Sequence, residues 1–341
     1  MKIGIVGGSG YAGGELLRIL ADHPVFSVEA VSAHSNAGET ITSVHPQLAS
    51  YAGKSFSAFS PELFTSCELI FLALPHGESA SAVAMIASLK PSMKFIDIGA
   101  DFRLEDPNAW EKYYGGAHAG SWVYGLPEIA GNIEKIKGAQ KVANPGCYAT
   151  AIALSVAPAI SIIDCEDIVV VAASGTTGAG RSAKVNLIGS EVMNNLSSYK
   201  FGGVHQHTPE IEEVLSKIGK KNVKISFTPI LAPMPRGILA TVTAKLTTKT
   251  STENARDLFS SYYKNSKFVT LLATGSMPMT SAVLGSNNVQ IQVAIDEHVG
   301  RLVVSTAIDN LGKGAAGQAI QNANLMCDLS EDLGLQNLGV R

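Results

Sequence analysis

Strand-like and helix-like hydrophobic patterns alternate through the first part of the chain. Lys2 to Val6 is a short β-branched run that ends in glycines, and Glu15 to Leu20 has helical spacing. Further strands are predicted over residues 26–32, 68–74 and 94–98, with a helix over 79–89. Strands that alternate with helices favour right-handed crossovers and a parallel sheet.

The pattern changes after residue 147, where strand-like runs follow one another with fewer helices between them. These runs cover residues 168–173, 224–231, 238–247, 289–296 and 301–309. They predict an antiparallel or mixed sheet with helices on one side, an α+β domain. The tail over 314–326 reads as a helix that returns to the first domain. The predicted organisation is therefore 1–146 completed by 311–341, with a second domain over 147–310.

Composition excludes several classes of function. The chain has 341 residues, 46% hydrophobic and 16% charged, with a formal net charge of −3. This charge offers no broad positive field for nucleic acid. No secretory leader is recognised at Met1, and the longest apolar run, 149–163, is short of the ~20 residues that span a bilayer. The expectation is a cytoplasmic protein that contacts neither membrane nor nucleic acid.

The glycine-rich segment after the first strand is typical of a dinucleotide-binding turn. It reads Gly7-Gly8-Ser9-Gly10-Tyr11-Ala12-Gly13, directly after a strand and directly before a helix. Such a turn lets the backbone approach a pyrophosphate, which then faces the positive end of the helix. The alternative interpretation is a purely structural tight turn.

The end of the second predicted strand favours NADP over NAD. An NAD site usually carries a carboxylate there for the ribose 2′-hydroxyl. This chain instead has Ser32 and Ser35, which could donate to a 2′-phosphate. The alternative interpretation is that these residues only cap a turn and that the enzyme discriminates poorly between NADP and NAD. His76, after another strand, is interpreted as a loop residue near the cofactor.

Cys147 is the predicted nucleophile. It follows Asn144-Pro145-Gly146 and precedes a helical run, so it falls at a helix N-terminus, where the dipole favours the thiolate. The competing interpretation, a buried packing cysteine, suits Cys67, Cys165 and Cys327 better. No paired metal-site spacing links the four, and all are expected to be free thiols with no metal.

A histidine pair is the predicted acid/base group. His205 and His207 lie just before Thr208, a plausible N-cap, and Pro209, a plausible first helical residue. The rigid approach to a helix suits proton transfer. Ordinary surface histidines are the second interpretation, and a metal site, which lacks an evident third ligand, is the third.

These segments together resemble the N-acetyl-γ-glutamyl-phosphate reductase family of arginine biosynthesis, and the resemblance runs from end to end. The motifs that carry it are the glycine turn, 99–104, 124–128, 144–148, Ser174-Gly175, 205–211, 233–237 and 310–319. One departure is Gln206, where the family often has Arg. The resemblance implies a Rossmann-type parallel-sheet domain followed by an α+β catalytic and dimerisation domain, in a homodimer or homotetramer.

The resemblance also implies the chemistry. Cys147 attacks a γ-acyl phosphate, a thioester forms, and NADPH reduces it while His207, or else His205, manages protons. The residues expected to bind the NADP(H) cofactor are Gly7, Ser9, Gly10, Tyr11, Ala12, Gly13, Ser32, Ser35, His76, Ser174, Gly175, Asn310 and Gly314. The residues expected to bind substrate are Arg103, Asn144, Arg181, Glu210 and Arg236, the arginines because guanidinium pairs with phosphate and carboxylate.

Three alternatives stay open at this point. Two are oxidoreductases, aspartate-semialdehyde dehydrogenase and a reductase of carrier-protein-linked aminoadipyl phosphate. The third is a dinucleotide sensor that has lost the chemistry, which the presence of Cys147 and both histidines disfavours.

Overall fold

The computed structural model describes residues 1–340 and divides into two compact units. The N-terminal unit comprises Met1–Pro145 and Ala315–Leu335, and the C-terminal unit comprises Gly146–Gly314 and residues 336–340. The predicted boundaries after residues 146 and 310 lie after residues 145 and 314 in the structure, and residues 336–340 join the C-terminal unit. There the Val340 amide donates to the Leu284 carbonyl at 2.7 Å.

The N-terminal unit is built on a parallel sheet. Its strands are β1 (Lys2–Val6), β2 (Ser27–Ser32), β3 (Leu69–Leu72), β4 (Lys94–Asp97), β5 (Val123–Tyr124) and β6 (Lys141–Ala143). They lie in the order β2-β1-β3-β4-β6-β5, and every pairing is parallel. The first five helices are α1 (Tyr11–Leu20), α2 (Ile41–Val44), α3 (Ser79–Leu89), α4 (Pro107–Tyr113) and α5 (Asn132–Lys137).

The core of this unit explains the alternating sequence pattern. Ile3 and Ile5 of β1 pack with Leu16 and Leu20 of α1 in one buried cluster. Ile320 belongs to the same cluster, which ties the returning tail to the sheet.

The C-terminal unit is built on a mixed sheet. Its strands are β7 (Ile163–Ser174), β8 (Ser197–Ser198), β9 (Ile225–Leu231), β10 (Ile238–Leu246), β11 (Val269–Leu271), β12 (Val289–Asp296) and β13 (Arg301–Ile308). Their order is β11-β12-β13-β10-β7-β9-β8. The pairs β11–β12 and β7–β9 are parallel, and the other four pairs are antiparallel. The predicted fold class, a parallel-sheet domain with an α+β domain, is confirmed.

The remaining helices are α6 (Cys147–Val156), α7 (Gly189–Val192), α8 (His207–Gly219), α9 (Thr252–Tyr263), α10 (Thr280–Val283) and α11 (Gly317–Met326), the last in the N-terminal unit. A π-helical turn, Gly312–Ala316, precedes α11, so the predicted terminal helix begins in a wider turn than expected. Within residues 1–340, no helix has both the length and the apolar character needed to cross a membrane.

The two faces of β7 in the C-terminal sheet differ in exposure. Along β7, Ile168, Val170 and Ala172 are buried, whereas Val169 and Val171 between them are 37% and 42% exposed. The period-2 alternation therefore places large apolar side chains on an open face.

At some positions of the turn between β1 and α1, no residue larger than glycine fits. This leads to a first prediction. A Cβ at Gly13 would lie 2.5 Å from the Gly7 carbonyl oxygen, whereas the nearest atom to a Cβ at Gly10 is 3.8 Å away. Gly13→Ala should lower the free energy of unfolding by about 1–3 kcal/mol, because backbone cannot move aside cheaply. Urea unfolding measures this.

Gly10→Ala is the matched control and should stay within about 1 kcal/mol of the parent. Equal stabilities for the two variants would contradict the packing argument.

Candidate active site

Cys147 is the first residue of α6, as predicted. The N-cap residue Gly146 has extended backbone and no side chain, and nine of the ten helix residues are buried. The Gly146 amide donates to Glu210 Oε1 at 2.8 Å, and Glu210 is itself 2% exposed. The sulfur therefore stands at the positive end of a rigid helix, where the dipole favours the thiolate.

The four cysteines differ in exposure to solvent, which a thiol needs in order to react. Cys147 is partly exposed, whereas Cys67 and Cys165 are buried. Burial raises the pKa of Cys67 to about 11 and also raises the pKa of Cys165. Cys327 is partly exposed, and burial of its thiol raises its pKa too. The structural interpretation of these three is consistent with their surroundings.

The predicted cap of the histidine helix is wrong. Helix α8 begins at His207, and Gln206 is its N-cap, so Thr208 is the second helical residue and Pro209 the third. The reason is that the His205 ring performs the capping, since its Nδ1 accepts the His207 amide hydrogen at 3.0 Å. The family departure Gln206 accepts from Lys200 Nζ at 2.6 Å.

His205 is neutral in this structure. Burial lowers its pKa to about 2, with further lowering by the positive charges of His207 and Lys200, while Glu210 acts in the opposite sense. Because Nδ1 accepts a backbone hydrogen bond, the neutral ring carries its proton on Nε2. A neutral ring held in this way can orient His207, but it is poorly suited to exchange protons near neutral pH.

Aromatic rings enclose both histidines. The Tyr148 ring lies 5.4 Å from His205 and 6.1 Å from His207, centroid to centroid, and the two imidazoles are 4.9 Å apart. Since Tyr148 directly follows Cys147, these contacts bring the histidines beside the start of α6.

Two tyrosines complete the enclosure. The Tyr199 hydroxyl donates to the Tyr148 hydroxyl at 3.0 Å. Burial raises the pKa of Tyr199 to about 12, and burial and Tyr199 raise the pKa of Tyr148. Both phenols stay protonated at neutral pH. Neither was predicted from the sequence as a site residue, although Tyr148 stands within the cysteine motif.

The two residues that follow β13, Asp309 and Asn310, make side-chain hydrogen bonds to Arg236 and to the Gly237 amide. The Arg236 Nε and Nη2 lie 3.1 and 3.0 Å from Asp309 Oδ1, and the Arg236 side chain keeps 20% exposure. Asn310 Oδ1 accepts the Gly237 amide at 2.7 Å, and Asn310 Nδ2 donates to Thr177 Oγ1 at 3.0 Å. Asp309 was missed because a carboxylate after a strand carries no motif of its own.

Two glycines pack where a side chain would not fit. A Cβ at Gly314 would lie 2.8 Å from Cys147 Cβ, and one at Gly175 would lie 2.7 Å from the Arg236 amide nitrogen. Ser174, at the end of β7, is buried, and its hydroxyl donates to the Gly175 carbonyl at 3.1 Å. Arg181 lies exposed beyond that strand.

Arg103 and Asn144 lie in the N-terminal unit and contact each other. Arg103 is 9% exposed and donates to the carbonyls of Asn144 and Ile98, both at 2.8 Å. The Asn144 amide donates to the Ala315 carbonyl at 3.1 Å and accepts from Asn322.

The glycine turn fits a nucleotide pyrophosphate. Gly7 has φ of +88°, and Gly8 and Gly13 leave no space for a Cβ. Gly10 is the N-cap of α1, and no side chain caps that helix. The backbone amides of Tyr11 and Ala12 therefore begin a helix whose positive end can meet an anion.

The residues predicted around the rest of the cofactor are unequal in exposure. Ser32 is 1% exposed, and its hydroxyl has no hydrogen-bond partner among the described residues. Ser35 is exposed and lies beside Asn36, which donates to Glu39, a carboxylate that sequence reasoning did not consider. His76 is exposed, with its ring 5.5 Å from Tyr114.

Comparison with known proteins places both units. Residues 2–139 match the family model "Semialdehyde dehydrogenase, NAD binding domain", and residues 147–310 match "Semialdehyde dehydrogenase, dimerisation domain". Aspartate semialdehyde dehydrogenase II of Vibrio cholerae, solved with ASA, has a TM-score of 0.71 at 17% identity, covering 96% of this chain and 98% of that one. The Candida albicans enzyme, solved with NADP, has a TM-score of 0.67 at 15% identity, with 96% and 98% coverage.

Sequence relatives are much more similar. N-acetyl-gamma-glutamyl-phosphate reductase of Acidothermus cellulolyticus is 51% identical over 99% of this chain and 98% of its own length. The protein of the same name from Pseudarthrobacter chlorophenolicus is 49% identical over 100% and 99%.

The fold, the glycine turn for a nucleotide and the cysteine at the start of a helix together define an oxidoreductase of the semialdehyde dehydrogenase class. Within that class, the chain belongs to the N-acetyl-γ-glutamyl-phosphate reductase family. The resemblance inferred from the sequence is confirmed.

The buried neutral His205 predicts how stability depends on pH. Its folded pKa is about 2 and the unfolded value about 6.5, so below pH 6.5 the unfolded state binds a proton that the native state does not. Stability is therefore fully present above this value and falls as the pH drops, by at most about 1.4 kcal/mol per pH unit. His205→Gln should remove this component from urea unfolding measured between pH 7 and 4.

His298→Gln, at an exposed position between β12 and β13, should keep the parent's slope. An identical slope for His205→Gln would mean that the ring is not buried and neutral.

Cys147 should be the first thiol alkylated by iodoacetamide near neutral pH, because it is accessible and starts a helix. Peptide mapping of partly labelled protein measures the order. Cys327 is the internal control, since it has similar exposure and a raised pKa. Equal labelling of both would rule out selective activation at 147.

Proposed function

We propose that this chain catalyses NADPH-dependent reduction of N-acetyl-γ-glutamyl phosphate to N-acetylglutamate 5-semialdehyde and phosphate. The observation that carries the proposal is Cys147 at the start of α6 with the paired histidines beside it. Relatives that bear the name of this reductase at 46–51% identity support the substrate.

The Cys147 sulfur supplies the covalent step. The thiolate attacks the γ-carbonyl carbon, the bond from that carbon to the phosphate oxygen breaks, and phosphate leaves with the electron pair. NADPH, when bound, supplies the hydride that reduces the resulting thioester. The C–S bond then breaks, which frees the aldehyde and regenerates the thiolate.

His207 donates protons to the substrate oxygen and accepts protons from it, and His205 orients His207. His207 is the first residue of α8, and its amide is held by the His205 ring at 3.0 Å. His205 stays neutral because its pKa is near 2, so it is poorly matched to proton exchange at physiological pH. Glu210 positions the nucleophile through the Gly146 amide and is assigned to the framework of the substrate site.

Arg236 and Arg181 are the proposed partners of the substrate's phosphate and α-carboxylate. Arg236 is partly exposed, and Arg181 is exposed. Arg103 donates to two backbone carbonyls, and Asn144 is one of its acceptors, so this pair supports the chain just before the nucleophile.

NADP(H) is the proposed cofactor. The glycine turn with Ser9 would hold the pyrophosphate, and Ser32 and Ser35 would face the 2′-phosphate, with the Ser32 hydroxyl available for a hydrogen bond. His76 would lie beside the nucleotide. Ser174, Gly175, Asn310 and Gly314 are proposed to lie near the nicotinamide.

The proposed assembly is a homodimer, or a homotetramer made of two such dimers, in the cytoplasm. The open sheet face with Val169 and Val171 is the proposed contact, since paired apolar faces exclude water. The name of the matched dimerisation domain supports this assembly.

The function is tested by NADP reduction with N-acetylglutamate semialdehyde and phosphate. Cys147→Ser should abolish turnover and leave NADP affinity unchanged, because the hydroxyl is a far weaker nucleophile. Cys327→Ser is the matched control and should remain active. Near-normal turnover in Cys147→Ser would end the covalent proposal.

Aspartate semialdehyde in the same assay distinguishes the related dehydrogenase. A preference for that unacylated substrate would contradict the proposed specificity.

The histidine roles are tested in the same assay. His207→Asn should reduce kcat by about 10²- to 10⁴-fold, the usual contribution of a general acid/base. His205→Asn should cost less, because it removes an orienting contact. A greater loss from His205→Asn would reverse the assignment.

A further inference from the structure

We propose that Asp309 is a positioning residue of the active site, whose buried carboxylate fixes Arg236 and the turn that packs against Cys147. The inference rests on the proposed function, because it concerns how that site meets the substrate anion. It concerns only the C-terminal unit.

Asp309 has no exposed surface, and five N–H groups surround its carboxylate. Oδ1 accepts from Arg236 Nε and Nη2 at 3.1 and 3.0 Å, and from the amides of Leu311 and Gly312 at 2.8 and 3.0 Å. Oδ2 accepts the Gly285 amide at 2.6 Å. A carboxylate offers about four lone-pair sites, and this one has five N–H donors, four of them on Oδ1.

The donors come from three separate segments. Arg236 precedes β10, Gly285 follows α10, and the Leu311 and Gly312 amides belong to the turn after β13. One buried charge therefore sets the relative positions of three loops.

The turn after β13 reaches the nucleophile. The Gly314 amide donates to the Asp309 carbonyl at 2.9 Å, and Gly314 packs so closely on Cys147 that a Cβ would lie 2.8 Å from the cysteine Cβ. At Gly312 a Cβ would lie 2.2 Å from the Ser286 carbonyl oxygen, so this turn has little freedom to adjust. A movement of Asp309 would therefore displace the turn that packs against Cys147.

Arg236 gains a fixed orientation from the same carboxylate. Two donors on one edge of the guanidinium converge on Oδ1, which restrains a long side chain that otherwise samples many rotamers. The side chain keeps 20% exposure. Asp309 thereby presents an oriented cation to an anionic substrate and reduces the entropy lost on binding.

Asp309→Asn tests the proposal through the separation of KM from kcat. In the assay with semialdehyde, phosphate and NADP, the KM of at least one substrate anion should rise about 10- to 100-fold, as for a lost charged hydrogen bond. Unchanged KM values for both substrate anions in a folded variant would overturn the proposal, because loss of folded enzyme alone lowers only the apparent kcat.

Arg236→Lys keeps the proposal falsifiable if Asp309→Asn does not fold. A lysine keeps the charge but cannot direct two N–H groups onto Oδ1, so it should raise the same KM. A KM like that of the parent would show that the orientation is unnecessary. Where both single variants fold, the double variant should be no worse than the worse single one, and additive losses would contradict a shared function.

Asp167→Asn is the matched control. Asp167 pairs with Arg301 at 2.8 Å, at the far end of β13 and half exposed, so its loss should leave every KM unchanged. The parent's turnover is measured first, since its absence would refute the proposed function alone. The rate of Cys147 alkylation then still tests the inference, and it should change in Asp309→Asn but not in Asp167→Asn.

Discussion

The hydrogen bond from the Gly146 amide to the Glu210 carboxylate is the contact on which the site depends. It joins the residue before the nucleophile to the first turns of α8, the helix that begins with His207. Without it, a buried amide and a buried carboxylate would each lose a partner, at a cost of about 1–3 kcal/mol or more. Cys147 and His207, the proposed nucleophile and proton-transfer group, therefore lie at the starts of two helices that this hydrogen bond joins.

A second buried carboxylate, Asp309, is proposed to organise the turn that packs against Cys147 in a similar way. Both acids are almost completely buried, and both use backbone amides to hold a loop. The two carboxylates that orient the site are buried away from water, whereas Cys147 and Arg236 keep partial exposure and can reach a ligand. Buried polar groups with good geometry rigidify a site.

Local patterns predicted the elements well, and tertiary contacts account for what they missed. The glycine turn and the helix starting at Cys147 follow from short-range rules, and both were predicted. Thr208 has the right residue type for a cap, yet the His205 ring takes that position because Tyr148 and Phe227 pack around it. Asp309 and Tyr199 could not be recognised, since the side chains of Arg236 and Tyr148 that they contact are distant in sequence. Arg103, a predicted substrate ligand, donates from Nε and Nη2 to two backbone carbonyls, contacts that the sequence did not indicate.

The covalent acyl-enzyme is the central claim, and mass spectrometry of the whole protein tests it most directly. Enzyme mixed with N-acetyl-γ-glutamyl phosphate in the absence of NADPH and then quenched in acid should gain the mass of one N-acetylglutamyl group. Peptide mapping should place this group on Cys147, with hydroxylamine removing it as expected for a thioester. An adduct on another residue, or none in enzyme that turns over normally, would contradict the account.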